Sequence, residues 1–203
     1  MAESNDAPER ITLEWSEGRR LRDFALDTSE GHVKRFNRAG VYIWVVSTPE
    51  DDSYLSYVGK ATGSPTILAR MRTHYLLYIG VGYSIPLPFV PQEYVVNSAR
   101  KRWEVDWSSA VCVNALADEE RVVELARCGF RFVDAITVHV ADVERLHVKA
   151  VERQLLWDLQ PRGTTGGTMT APAPRQVDIW HKNVAWATEA MRQEFKSPLR
   201  VAP

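Results

Sequence analysis

The segment GVYIWVVSTPEDDSYLSYVGK, residues 40–60, holds two apolar runs joined by a polar connector. VYIWVV (41–46) is an unbroken β-branched and aromatic run, as a strand covered on both faces would show. STPEDDS supplies turn residues, and SYLSYVGK (53–60) follows closely enough to pair antiparallel with the first run as a hairpin. Beyond it, Ser64 and Pro65 have the residue types of an N-cap and a first helical position. Ile67, Leu68, Met71 and Tyr75 then mark the apolar face of a helix.

On either side of this unit the pattern is looser. Residues 1–37 read as an N-terminal arm, in which Leu13, Trp15, Leu21 and Phe24 stand among charges and pack onto something without making a core. From about 77 to 130 the chain reads as an insertion, with PLPFVP, a basic NSARKRW, an apolar SSAVCVNAL and an acidic, helix-like DEERVVELA. FVDAITVHV (132–140) recovers strand character, and Asp142 has the chemistry to cap a helix through VERLHVKAVERQLLWDL that Pro161 stops. Residues 163–174, GTTGGT to APAP, form a flexible or extended passage. After it, Ile179, Trp180, Val184, Ala187, Met191 and Phe195 fit an amphipathic C-terminal helix that closes the core or binds a second subunit. The organisation expected is thus an arm (1–37), a core with its insertion (38–168) and a C-terminal arm and helix (169–203).

A length of 203 residues with 45 % apolar content permits one elaborated domain. With 25 basic and 26 acidic side chains the net charge is −1, so affinity for nucleic acid would have to come from local clusters. Cys112 and Cys128 form no CxxC or His/Cys array, which predicts free thiols in a reducing cytoplasm. The polar N-terminus and the lack of any long apolar run predict a soluble, cytoplasmic protein. GTTGGT is not a phosphate-binding loop, because no lysine-plus-hydroxyl pair follows it into a helix.

Several side chains could do chemistry. Arg70 and His74 lie four apart on the predicted helix, hence on one face. Glu152 has Val148, Leu155 and Leu156 at helical spacing, so its carboxylate sits within or beside an apolar stripe, where an unpaired charge is costly. Tyr42 lies in the first strand and Tyr57 near the end of the second, two residues before Gly59, where a missing β-carbon would let a ligand's backbone approach. Taken singly, each has a structural reading: a solvated Arg/His face, a salt-bridged glutamate, two packed tyrosines.

Taken in order, Gly40-Val41-Tyr42, Tyr57-Val58-Gly59, Arg70 and His74 on the next helix, and Glu152 in ERQLLWDLQP resemble the GIY-YIG nuclease family over roughly residues 38–80 and 130–168. The literal Tyr78-Ile79-Gly80 is a decoy: the family's second tyrosine lies on the strand before the arginine-bearing helix, whereas Tyr78 falls at helical spacing from Met71 and Tyr75, with Gly80 at the exit. The resemblance implies an α+β fold, a small three-stranded antiparallel sheet flanked by helices. It also implies phosphodiester hydrolysis with one divalent cation, Mg2+ or Mn2+, held by Glu152 and several waters. Arg70 would stabilise charge on the phosphoryl group, and Tyr42 would accept a proton from the attacking water, its phenolate favoured by nearby cations such as Lys60. Tyr57 and His74 would position water or phosphate, with His74 able to share the base role. Expected products carry 5′-phosphate and 3′-hydroxyl ends. The sequence departs from the family after Pro161, where Thr164 stands in place of the usual asparagine; Thr165 or Asn183 are the other candidates for that contact.

Between Lys60 and Trp103 the chain carries Lys60, Arg70, Arg72, Arg100, Lys101 and Arg102 against the single acid Glu93, a local excess of five positive charges. This is a candidate phosphate-facing strip, with Tyr94, Trp103 and Trp107 interleaved for stacking or for packing. Without a second DNA-binding domain, the chain is most similar to the family's free-standing restriction endonucleases, which implies double-stranded DNA as partner and a homodimer cutting both strands. Two other readings stand beside it: a structure- or single-strand-selective repair or defence nuclease, and a catalytically silent nucleic-acid-binding module.

Overall fold

The computed structural model describes residues 8–48, 52–80, 85, 89, 119–162 and 177–203. Its elements in chain order are β1 (Glu9–Glu14), β2 (Arg19–Arg20), α1 (Leu21–Leu26), α2 (Glu30–Phe36), β3 (Gly40–Ser47), β4 (Ser53–Ala61) and α3 (Ile67–Ile79). There follow α4 (Glu119–Ala135), β5 (Ile136–Asp142), α5 (Val148–Leu159), β6 (Val177–Lys182) and α6 (Glu189–Glu194). The predicted hairpin is present: β3 and β4 pair antiparallel, with Tyr42 opposite Gly59 and Trp44 opposite Tyr57. β5 pairs antiparallel on the other side of β3.

The fold is mixed α+β, but the main sheet has four strands in the order β2-β5-β3-β4, where three were expected. The extra strand is the short β2, whose Arg19 and Arg20 pair antiparallel with Val138 and Thr137. β3 runs centrally with a layer on each face, which is why its apolar run is unbroken. Tyr42, Trp44 and Val46 face a layer built from α1, α3 and α4, including Phe24, Met71, Leu125 and Phe132. Val41, Ile43 and Val45 face α5 through Val148, Val151 and Leu155, together with residues of β1 and β6.

The N-terminal segment does not merely lie on the surface. Leu13, Trp15, Leu21 and Phe24 are fully buried, and β1 pairs parallel with β6 in a second, two-stranded sheet. The expected C-terminal helix from Ile179 is therefore a strand through Lys182 followed by the short α6. Three boundaries also shift. Phe132–Ala135 end α4 instead of opening the strand. Asp142 closes β5 and ion-pairs with Arg38 at 2.7 Å, while α5 starts after His147. Thr66, not Ser64, caps α3, its side chain accepting from the Ala69 N–H. Gln160, in a left-handed conformation, ends α5 just before Pro161.

Gly129 sets how closely α3 and α4 approach, since a Cβ there would lie 2.4 Å from the Tyr78 carbonyl oxygen. Tyr78 itself packs edge-on against Trp44 and Phe132 at ring separations of 6.0 and 5.0 Å, on the core side of α3. Cys128 is a buried free thiol within α4, and Cys112 lies outside the described residues. No described helix is long and apolar enough to cross a membrane.

On the α5 side, Trp15 joins the terminal ribbon to the sheet. Its indole N–H donates to His181 Nδ1 at 3.1 Å, and it meets Trp186 edge-on at 5.8 Å. An accepting Nδ1 carries no proton, so His181 is neutral, and burial holds its pKa down to about 4. The unfolded chain keeps its histidines near 6.5 and so takes up the extra proton first. The contribution of His181 to stability is therefore fully present above about pH 6.5 and is lost as pH falls toward 4. Urea unfolding should show this residue removing about 1.5 kcal/mol between pH 6.5 and 5. His181→Gln, which preserves an acceptor for Trp15, should remove that share of the slope.

Candidate active site

The hairpin register puts the two motif tyrosines on one sheet face. Tyr42 sits opposite Gly59 and Tyr57 opposite Trp44, and the Tyr42 and Tyr57 rings lie 6.0 Å apart between centroids. α3 crosses the same face, and its 3.6-residue period brings Arg70 and His74 a turn apart above the tyrosines. The Tyr42 hydroxyl and His74 Nε2 are hydrogen-bonded at 3.0 Å, and the His74 ring is 5.8 Å from that of Tyr57. His74 is thus buried and engaged, not part of a solvated polar face.

Gly59 serves this packing in a way its sequence position did not suggest. The space its missing Cβ leaves is filled by Tyr42, whose ring carbon Cζ would lie 2.4 Å from an added methyl and whose hydroxyl oxygen 2.6 Å. It admits a phenol, where the backbone of a ligand was expected. Gly59→Ala should therefore push the phenol off His74. The expected result is a loss of about 1–3 kcal/mol in denaturant unfolding and at least a tenfold loss of any activity that uses Tyr42.

Glu152 reaches the site from the opposite face of the sheet. α5 packs under β3 and β4, with Val148, Val151 and Leu155 fully buried around the glutamate, whose side chain is only 16 % exposed. Its carboxylate is ion-paired with Lys60. In register Lys60 lies opposite Val41, so it points to the α5 side while Tyr42 points to the α3 side. β4 is an edge strand of the sheet among the described residues. Both Glu152 and Arg70 are close enough to Tyr42 to act on its ionisation.

The electrostatics of the two proton-handling groups run against the expected phenolate. Burial first, then Tyr57, drives the Tyr42 pKa well above that of a free phenol; Glu152 adds to the rise, and Arg70 opposes it. Lys60 is committed to Glu152. Tyr42 is therefore a neutral phenol. Burial, and secondarily the Arg70 charge, lowers His74 to about 4, so its imidazole is neutral at pH 7. A neutral phenol against a neutral imidazole is a donor–acceptor pair along which a proton can move.

The other sequence candidates divide. Arg72 does not join the strip of free cations: it donates to the Ala25 and Asp27 carbonyl oxygens and fastens α3 to the end of α1. Asn183 donates to the Trp15 carbonyl oxygen at 3.3 Å and lines a cleft with Ser16, His32 and Asp142 that none of Tyr42, Tyr57, Arg70, His74 and Glu152 lines. Arg100, Lys101, Arg102, Thr164 and Thr165 lie outside the described residues. Trp44 was not singled out from sequence, yet its ring lies 4.8 Å from both Tyr57 and His74. The signal was present in its period-two spacing from Tyr42.

No group of three or more His, Cys, Asp or Glu side chains that could cage a metal occurs among the described residues. A lone carboxylate nevertheless suits magnesium, which keeps most of its waters and takes one or two protein oxygens. Glu152 also already draws a cation, the Lys60 ammonium, so the donor fits such an ion. Comparison with known proteins returned no matching family model, no matching curated protein and no matching solved structure.

Proposed function

We propose that this protein is a metal-dependent endonuclease of the GIY-YIG type, hydrolysing phosphodiester bonds in double-stranded DNA in the manner of a restriction enzyme. What supports this reading is that Tyr42, Tyr57, Arg70 and His74 lie on one sheet face while Glu152, from the other face, acts on the ionisation of Tyr42, the five coming from four separate elements. Each has a role in such a reaction. Glu152 would hold the divalent cation, which supplies Lewis-acid stabilisation of charge on the phosphate and the leaving oxygen. Arg70 places a fixed positive charge beside the phosphoryl group. Tyr57 orients the nucleophilic water by hydrogen bonding. As that water attacks phosphorus, its proton passes to Tyr42, which hands its own to His74 Nε2; the bond to the 3′ oxygen breaks and that oxygen takes a proton from solvent. The ends left are 5′-phosphate and 3′-hydroxyl.

A catalytically silent nucleic-acid-binding module is favoured by one observation, the burial of Tyr42 to 1 % exposure. The test is incubation of duplex, single-stranded and branched DNA with the protein and Mg2+, followed by treatment of nicked product with a DNA ligase. Duplex nicks that reseal carry the expected ends and support the proposal. Preferential cutting of branched or single-stranded DNA would replace the restriction reading with a structure-selective one, and binding without cutting would leave the silent module.

A further inference from the structure

The ion pair between Lys60 and Glu152 joins a side chain about one-third exposed to a largely buried one, 32 % against 16 %. Glu152 is ringed by apolar α5 side chains, so its carboxylate needs a counter-charge at all times. Lys60 supplies it from the edge strand β4, where a four-carbon stem leaves the ammonium free to swing toward solvent. A divalent cation and an ammonium compete for the same carboxylate and repel each other over a few ångström. Both cannot be held at once with full strength. A DNA phosphate passing this edge offers the displaced ammonium a new partner.

We propose that Lys60 is a latch on the cation site: it occupies Glu152 when no divalent cation is bound and is handed to a backbone phosphate when one is, so that cation and DNA favour each other's binding. The inference rests on reading Glu152 as the cation ligand. Lys60 is here a positioning residue acting through Glu152.

The test is Mn2+ binding by electron paramagnetic resonance, without DNA, to the full chain and to Lys60→Met, Lys60→Gln and Glu152→Gln. Lys60→Gln keeps a hydrogen-bond donor for Glu152 and covers the case in which the methionine variant does not fold. The expected result is Mn2+ binding tighter by about tenfold or more in either Lys60 variant and lost in Glu152→Gln. Binding that depends on Glu152 but is unchanged or weaker in the Lys60 variants would overturn the latch and leave the cation ligand standing. Binding indifferent to Glu152 would overturn both. A second readout is anisotropy of a fluorescent duplex in EDTA. Glu152→Gln, which frees the ammonium, should bind the duplex several-fold tighter than the unsubstituted protein, a gain absent when Lys60→Met is added. A gain that persists without Lys60 would overturn the handover.

Discussion

Glu152→Gln should reduce Mg2+-dependent nicking of supercoiled plasmid by a factor of about 10³ or more, with the folded structure retained. The substitution removes a charge and almost no volume. The apolar contacts of α5 through Val148, Val151 and Leu155 are untouched. What disappears is the anionic oxygen that, on the proposed reading, would hold a divalent cation. A purely structural glutamate would behave differently: its loss would appear in the unfolding midpoint, and whatever nicking the protein performs would follow the folded fraction. Measuring single-turnover nicking and thermal unfolding on the same preparation separates these outcomes.

Arg70→Ala should be nearly as damaging, about 10²- to 10³-fold, while barely affecting stability. Arg70 Nε is buried and has no hydrogen-bond partner among the described residues, so a strongly donating group stands in the site without a structural bond at that nitrogen. A guanidinium held this way is preorganised for an anion that arrives later. Its removal also lifts a positive charge from His74, which would raise the imidazole's pKa, since Arg70 is one of the two causes of its depression. The acid side of the pH–rate profile should therefore move to higher pH in any residual activity of Arg70→Ala. A merely structural arginine would instead show its loss in the unfolding midpoint, with nicking following the folded fraction.

The central hairpin and α3 were legible because both report on a single chemical period: an unbroken apolar run for a strand covered on two faces, and a three-and-four spacing for a helix over one. The terminal ribbon was not. In β6 the buried positions are Val177, Ile179 and His181, a clean alternation, but a histidine does not score as apolar, and Trp180, Val184, Ala187 and Met191 offer a competing helical spacing. Only pairing with β1, more than 160 residues away, decides between them. The same holds for the segment taken as an arm, where Ile11, Leu13 and Trp15 alternate but acquire a core to enter only when β6 lies alongside.

The candidate site was legible as a set of residues and not as an electrostatic state. Spacing put Arg70 and His74 on one face and Glu152 in an apolar stripe, both as found. It could not reveal that Gly59 exists to admit the Tyr42 ring, or that Lys60, one residue further, turns to the other face and spends its charge on Glu152. An alternation of side chains across a strand decides this, and its consequence is a neutral phenol where cations were expected to favour a phenolate.

The most direct measurement is the conversion of supercoiled plasmid to open-circular or linear DNA by the unsubstituted protein in Mg2+, with EDTA and Glu152→Gln run beside it. Cleavage in Mg2+ alone, absent from both controls, is the outcome the proposed nuclease reading expects. Intact plasmid across varied sequences, or cutting that survives in Glu152→Gln, would contradict it.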